Sequence, residues 1–210
     1  MKRKIKVHFG CGHHKLGQWI NVDIERSCKP DLVADLTQNL PFRADSVDYI
    51  HSEDFLDQIE LKAAYHFLQG CYQVLKKEGV MRLLTPNLNE FARRYLKGDQ
   101  GLIPLWKKEV GISLRTNTLC EVFNLGVRLL GHRFLYDEST LIQVLQECGF
   151  EPKVVHYQAS QEPELRGLDL RSPQTGISLY LDCYKGDPIK KGDSPFITFC
   201  FRRLKTLLRG

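Results

Sequence analysis

The residues best suited to chemistry cluster near the start of the chain. Gly10-Cys11-Gly12 forms a bare turn, and Asp23 stands eleven positions beyond Gly12. Glycines without a Cβ accept positive φ and let a ligand lie against the main chain. A carboxylate at the tip of the neighbouring segment accepts hydrogen bonds from ribose hydroxyls. Together these are the parts of a nucleoside site. A dinucleotide fingerprint would add a third glycine and place its acid about twenty residues on. Lys15 occupies that third position, and only six residues, His13 to Gln18, separate the turn from Trp19. Little room is left for a helix whose N-terminus would hold a pyrophosphate, so the pattern favours a nucleoside without phosphates. Cys11 has no evident base beside it and reads as a small residue next to the ligand rather than a nucleophile.

Positioning these residues requires strands. Ile5–Phe9 is β-branched and aromatic, the pattern of a strand buried on both faces, and Trp19–Ile24 is a second such run ending at Asp23. Leu32–Leu36 is a short third run with Asp35 near its end, and Ser46–Ile50 leads into His51-Ser52-Glu53-Asp54. Apolar residues at 61, 64, 65, 68, 71, 72 and 75 mark an amphipathic helix over Leu61–Lys77. Lys76-Lys77-Glu78-Gly79 would end it, with cations over its last carbonyls and a glycine cap. Val80–Leu84 is the next strand, stopped by Thr85-Pro86-Asn87.

This alternation implies a mostly parallel α/β sheet, with Gly10–Gly12, Asp23, Asp35, His51–Asp54 and Thr85–Asn87 all at carboxyl ends of strands, where such sheets bind ligands. Residues 88–98 read as helical. Residues 99–133 break the alternation and read as a helical insertion covering the pocket, with a helix-like stretch over Leu119–Leu130. A helix over Glu138–Cys148, capped by Asp137 or Ser139 and ended by Gly149, precedes closing strands at Lys153–Tyr157 and Gly176–Cys183. Ser160–Thr175 reads as a long loop.

The chain has 210 residues, room for one elaborated α/β domain over 1–185, followed by a basic tail over 186–210. The formal charge of +5 lies entirely from Lys185 onward, where seven cations face Asp187 and Asp193. The body is therefore no basic nucleic-acid platform. Residues 196–210 mix apolar side chains with four cations, the composition of a terminal helix packed on the domain or of a helix lying on an anionic membrane surface. The seven cysteines are scattered without a C-x-x-C pair, and no apolar run approaches a membrane span or a signal peptide. The expectation is reduced thiols, a cytoplasmic location and no metal site.

Several motifs in series resemble the class I S-adenosylmethionine-dependent methyltransferases, in particular a compact bacterial subgroup. They are Gly10-Cys11-Gly12, Gln18–Ile24, Asp31–Leu36, Leu40-Pro41-Phe42, Ser46–Ile50, Val74–Gly79, Gly131–Asp137 and Cys148-Gly149-Phe150. The resemblance implies a Rossmann-like, mostly parallel sheet with a shortened first helix, and S-adenosylmethionine as cofactor. It implies that Phe9, Gly10, Cys11 and Gly12 cradle the methionine part, that Asp23 and Ile24 meet the ribose, that Asp35 and Leu36 contact the adenine, and that His51 and Ser52 lie near the sulfonium. The subgroup has Ser-His-x-Leu-Glu-His after its fourth strand. Here that stretch is Glu53-Asp54-Phe55-Leu56-Asp57-Gln58, so both histidines are replaced. His8 stands where the family often has an acid.

Methyl transfer needs mainly alignment of nucleophile and methyl, with a general base where the acceptor is a hydroxyl or amine. The candidates are His51, Glu53, Asp54, His132 and Tyr136, with His51 and His132 foremost and His13 and His14 read as solvated loop. The expected acceptor is a small molecule or glycan precursor. Two other functions fit parts of the pattern: a non-catalytic protein that binds the cofactor or its demethylated product, and a nucleotide-dependent oxidoreductase, which Lys15 and the short spacing disfavour.

Overall fold

The computed structural model describes residues 4–129, 131–174 and 177–186; residues 187–210 of the basic tail, with both readings of it as a packed terminal helix or a membrane-surface helix, lie outside them. The seven strands are β1 (Lys6–Phe9), β2 (Ile20–Asp23), β3 (Leu32–Val33), β4 (Val47–Glu53), β5 (Leu75–Pro86), β6 (Phe150–Val154) and β7 (Ser178–Lys185). They form one sheet in the order β3-β2-β1-β4-β5-β7-β6. The first five run parallel, and β7 lies antiparallel between β5 and β6. This is the mostly parallel architecture expected.

One face of the sheet is conventional. The helices α1 (Leu61–Val74) and α5 (Glu138–Glu147) lay apolar stripes on it, and Phe67, Leu68, Leu141 and Leu145 join Val7, Phe9, Ile50 and Leu83 in the main core. Asp137 caps α5 by accepting from the Thr140 N–H at 2.8 Å, as its sequence position suggests. The helix α1 stops three residues before the expected end. Leu75 already pairs with Val47 in β5, the register then slips so that Tyr49 faces Val80, and residues 76–79 fill the slip. Lys76 therefore serves Asp48 on β4, at 2.7 Å, rather than the end of a helix.

The other face carries no α-helix among the described residues, only one 3-10 turn at Pro163–Leu165. The expected shortened first helix is reduced to turns, because residues 10–19 reconnect two parallel strands with no room for a helical crossover. In place of helices, residues 155–171 run across this face as a strap. Beneath it lies a polar row, one residue per strand: Asn21, His8, His51, Arg82 and Asp182 are register partners in turn. Arg82, fully buried, donates through Nε to Asp169 on the strap at 2.9 Å, through Nη1 to Asp182 at 3.1 Å, and to the strap carbonyl of Ala159 at 3.0 Å. Leu165 closes a small apolar patch there with Trp19, Tyr49 and Val80.

The segment that follows β5 is largely helical. The helices α2 (Leu88–Leu96), α3 (Leu102–Glu109) and α4 (Leu119–Arg128) share a separate core of Leu102, Trp106 and Val122, with Phe91 against Gly126. They stand over the carboxyl ends of β4 and β5.

Candidate functional site

The glycine turn is built by hydrogen bonds to β2. Gly10 and Cys11 both donate to the Val22 carbonyl, at 2.9 and 3.2 Å. The Asp23 carboxylate accepts from Gly12 N–H at 2.7 Å and from Glu25 N–H at 2.9 Å. Asp23 thus holds the turn while each of its oxygens keeps lone-pair capacity for a ligand. The two glycines differ. A Cβ on Gly10 (φ +67°) would stand 2.7 Å from the Phe55 side chain, whereas Gly12 (φ +48°) has no atom within 4 Å of that point. The Gly12 face is the open floor of the turn. Ile24, beside Asp23, is 63% exposed, an apolar surface where a flat ring can settle.

The remaining expected contacts are placed less simply. Asp35 is exposed just past β3, and its Oδ1 accepts from Thr37 N–H and Oγ1–H at 2.9 and 2.7 Å. Leu36 points into the main core, as does Phe9. Cys11 is buried, and burial beside Asp23 pushes its thiol up to about 11, so it is no nucleophile. Lys15 pairs with Asp31 at 2.8 Å, away from the turn. The arrangement suits S-adenosylmethionine: an open glycine floor, a carboxylate and an apolar shelf, with no helix N-terminus at the turn to ask for phosphate.

His51 does not follow the strand end; it lies inside β4, 1% exposed, with its ring 4.9 Å from that of His8 under the strap. Burial drives its basicity well below normal, with His8 and Arg82 adding to the effect. Ser52, its neighbour, is also fully buried and is paired with Phe9 in register.

His132 is placed differently. A cavity of about 360 Å³ opens between the strand ends and the insertion, with His132, Asp54, Asp57 and Arg171 in its wall. His132 Nδ1 lies 2.8 Å from the Gly126 carbonyl. A carbonyl only accepts, so Nδ1 carries the hydrogen and Nε2 is left as the lone-pair nitrogen. Asp57 Oδ2 lies 3.4 Å from that Nε2. Asp57 is buried, and burial, with Asp54 close by, raises its carboxyl to about 6. Its main-chain carbonyl accepts from Arg133 and Phe134 N–H, at 2.7 and 3.2 Å, tying the His132 loop to the end of β4. Asp54 is paired with Arg171 at 2.8 Å, and Glu53 accepts from Leu170 and Arg171 N–H at 3.0 and 2.8 Å.

Asp57 and Arg171 were not among the residues singled out from the sequence. The one available signal was that Asp57 lies in the stretch departing from the resembled subgroup. Among the described residues no cluster of His, Cys, Asp and Glu could hold a metal ion, and no helix is long and apolar enough to cross a membrane.

Comparison with known proteins bears on this site. Residues 10–83, which include the turn, Asp23, Asp35, His51 and Asp57, match a family model described as a methyltransferase domain. Among curated proteins nothing matches the sequence significantly. Solved structures do share the fold. A structure described as a SAM-dependent methyltransferase from Archaeoglobus fulgidus superposes with a TM-score of 0.54 at 12% identity, over 87% of this chain and 86% of that one. One from Methanosarcina mazei, described as belonging to the SAM-dependent methyltransferases, gives 0.51 at 16% identity, over 89% and 95%. At such identities the likeness is one of fold. Residues 10–83 thus match a methyltransferase domain, set in a chain that shares its fold with solved structures described as SAM-dependent methyltransferases.

Proposed function

We propose that this protein transfers the methyl group of S-adenosylmethionine to a small molecule held in the cavity under the insertion. The observation that carries the reading is the loop after β4. Phe55 packs over Gly10, while Asp54 and Asp57 on either side of it line the cavity. One short loop therefore joins the nucleoside turn to the second pocket, as transfer between two bound molecules requires.

In this reading Gly10–Gly12 receive the methionine part, Asp23 and Ile24 the ribose, and Asp35 with the Leu36 backbone the adenine. The bound cofactor supplies a methyl carbon on a positively charged sulfur. His132 Nε2 takes the acceptor's proton, and Asp57 faces the imidazolium that forms. His132 thereby supplies a base where the subgroup's two histidines are replaced. His51, sealed beneath the strap, has a structural role, packing beside His8. The six described cysteines are free, which supports a reducing, cytoplasmic setting. The test is transfer of label from methyl-labelled S-adenosylmethionine into an acceptor pool by wild type and His132→Ala. Transfer by wild type, falling at least about tenfold in the variant with product binding intact, is expected. Tight binding of S-adenosylhomocysteine with no transfer to any pool would instead make the chain a non-catalytic binder.

A further inference from the structure

The cavity has a character of its own that narrows the acceptor. Its walls toward the insertion are apolar: Leu88 and Phe91 from α2, Leu105 and Trp106 from α3, Val122 from α4. Its polar groups collect where the strands end. Asp54 is committed to Arg171, Asp57 faces His132 without a hydrogen bond, and Gln58 and Asn87 complete this polar end. Glu109, on α3, lies within reach of Lys108. No lysine lines the cavity, and its one arginine is already ion-paired. An anionic acceptor would meet three carboxylates against that arginine. A sugar would bring hydroxyls around its whole rim, and those turned toward Leu88, Phe91, Leu105, Trp106 and Val122 would find no partner there; buried polar groups left unpaired are costly. A cationic amine would be held in its protonated form by the same carboxylates, and so kept without the lone pair that attacks. At about 360 Å³ the space lies near the low end of small-molecule sites, which run from roughly 300 to 1,000 Å³.

Resting on the methyltransferase reading, we infer that the acceptor is an uncharged alcohol or phenol built on one or two apolar rings, rather than a glycan precursor. Its ring system lies among Leu88, Phe91, Leu105 and Trp106, and its hydroxyl points to His132 Nε2. The step balances within these groups. The hydroxyl oxygen forms the new bond to the methyl carbon, the carbon–sulfur bond breaks to leave a neutral thioether, and the hydroxyl proton passes to His132 and then to water. The positive charge that began on sulfur leaves as that proton.

The experiment is calorimetric titration with three probes, 1-naphthol, 1-naphthoate and methyl α-glucopyranoside, each with and without saturating S-adenosylhomocysteine. Leu105→Trp and Leu88→Trp, which fill the cavity from two different helices, are titrated alongside wild type. The expected result is 1-naphthol binding to wild type at least tenfold more tightly than either other probe. That binding should be lost in both Trp variants, with their affinity for S-adenosylhomocysteine unchanged, which also shows them folded. Absence of 1-naphthol binding, or a preference for the glucoside or the naphthoate, overturns the inference. The S-adenosylhomocysteine titration is a separate readout: its failure faults the methyltransferase reading, while the naphthol titration without it still decides what the cavity takes.

Discussion

Asp57 and His132 are 75 positions apart in the chain and 3.4 Å apart in the fold. The Gly126 carbonyl fixes which imidazole nitrogen is free, and burial decides when Asp57 carries a proton. The carboxyl sits at about 6 because burial disfavours its charge and Asp54 repels it. Below that pH Asp57 is protonated and cannot stabilise the imidazolium formed during transfer. Methyl transfer should therefore rise with pH through about 6 and level above it. In Asp57→Asn the carboxylate that steadies the imidazolium is gone, so kcat should fall by about 10²-fold at neutral pH; a kcat within about twofold of wild type would remove Asp57 from the step. Asp23 was legible from the sequence because a short spacing joins it to the glycine turn, which is local chemistry. Asp57 was not legible, because a carboxylate in a polar run gains meaning only from a partner brought by a distant loop.

At the scale of elements, the face of the sheet that lacks an α-helix sets much of the architecture. Where an apolar helix would otherwise lie, the strap of residues 155–171 covers a polar row and is pinned by Arg82. Asp169 receives two of the Arg82 donors and also the Gln158 N–H at 2.7 Å, while Asp182 accepts from Ser160 Oγ–H at 2.6 Å. Replacing Asp169 by Ala leaves a buried guanidinium with Asp182 as its one carboxylate. The expected cost is about 3 kcal/mol, or a melting point lower by roughly 10 °C, with earlier proteolysis in the strap. A melting point within a degree or two of wild type would mean the strap is held by its apolar contacts alone. This face also explains where strand boundaries escaped the pattern. The apolar run of β4 ends at Ile50, yet the strand continues through His51, Ser52 and Glu53. Those polar residues are buried because Arg82, the strap and the neighbouring strands enclose them, and periodicity within one segment carries no sign of a cover that comes from the far end of the chain. The helices α1 and α5 were legible because each carries a single apolar stripe facing a single layer.

At the scale of the whole molecule, two buried neutral histidines link stability to pH. Burial lowers His8 to about 4 and holds His51 well below its usual value, against 6.5 when exposed. Between these limits the unfolded chain binds protons that the native one refuses, so the histidine contribution is present above about pH 6.5 and is lost as pH falls. Asp57 and Glu53, with raised carboxyls, act in the opposite sense, so the comparison belongs between proteins that share them. His51→Leu should move the midpoint of acid unfolding to lower pH, and its stability relative to wild type should rise by up to about 1.4 kcal/mol per pH unit below 6.5. A constant difference across that range would show that His51 does not stay neutral. The central claim is that the glycine turn and Asp23 hold an S-adenosyl nucleoside. Calorimetric titration of wild type and Asp23→Ala with S-adenosylhomocysteine tests it most directly. The account predicts one site in wild type and affinity weakened at least about tenfold in the variant, from lost ribose hydrogen bonds and a loosened turn; equal affinity in both proteins, or no binding by wild type, would contradict it.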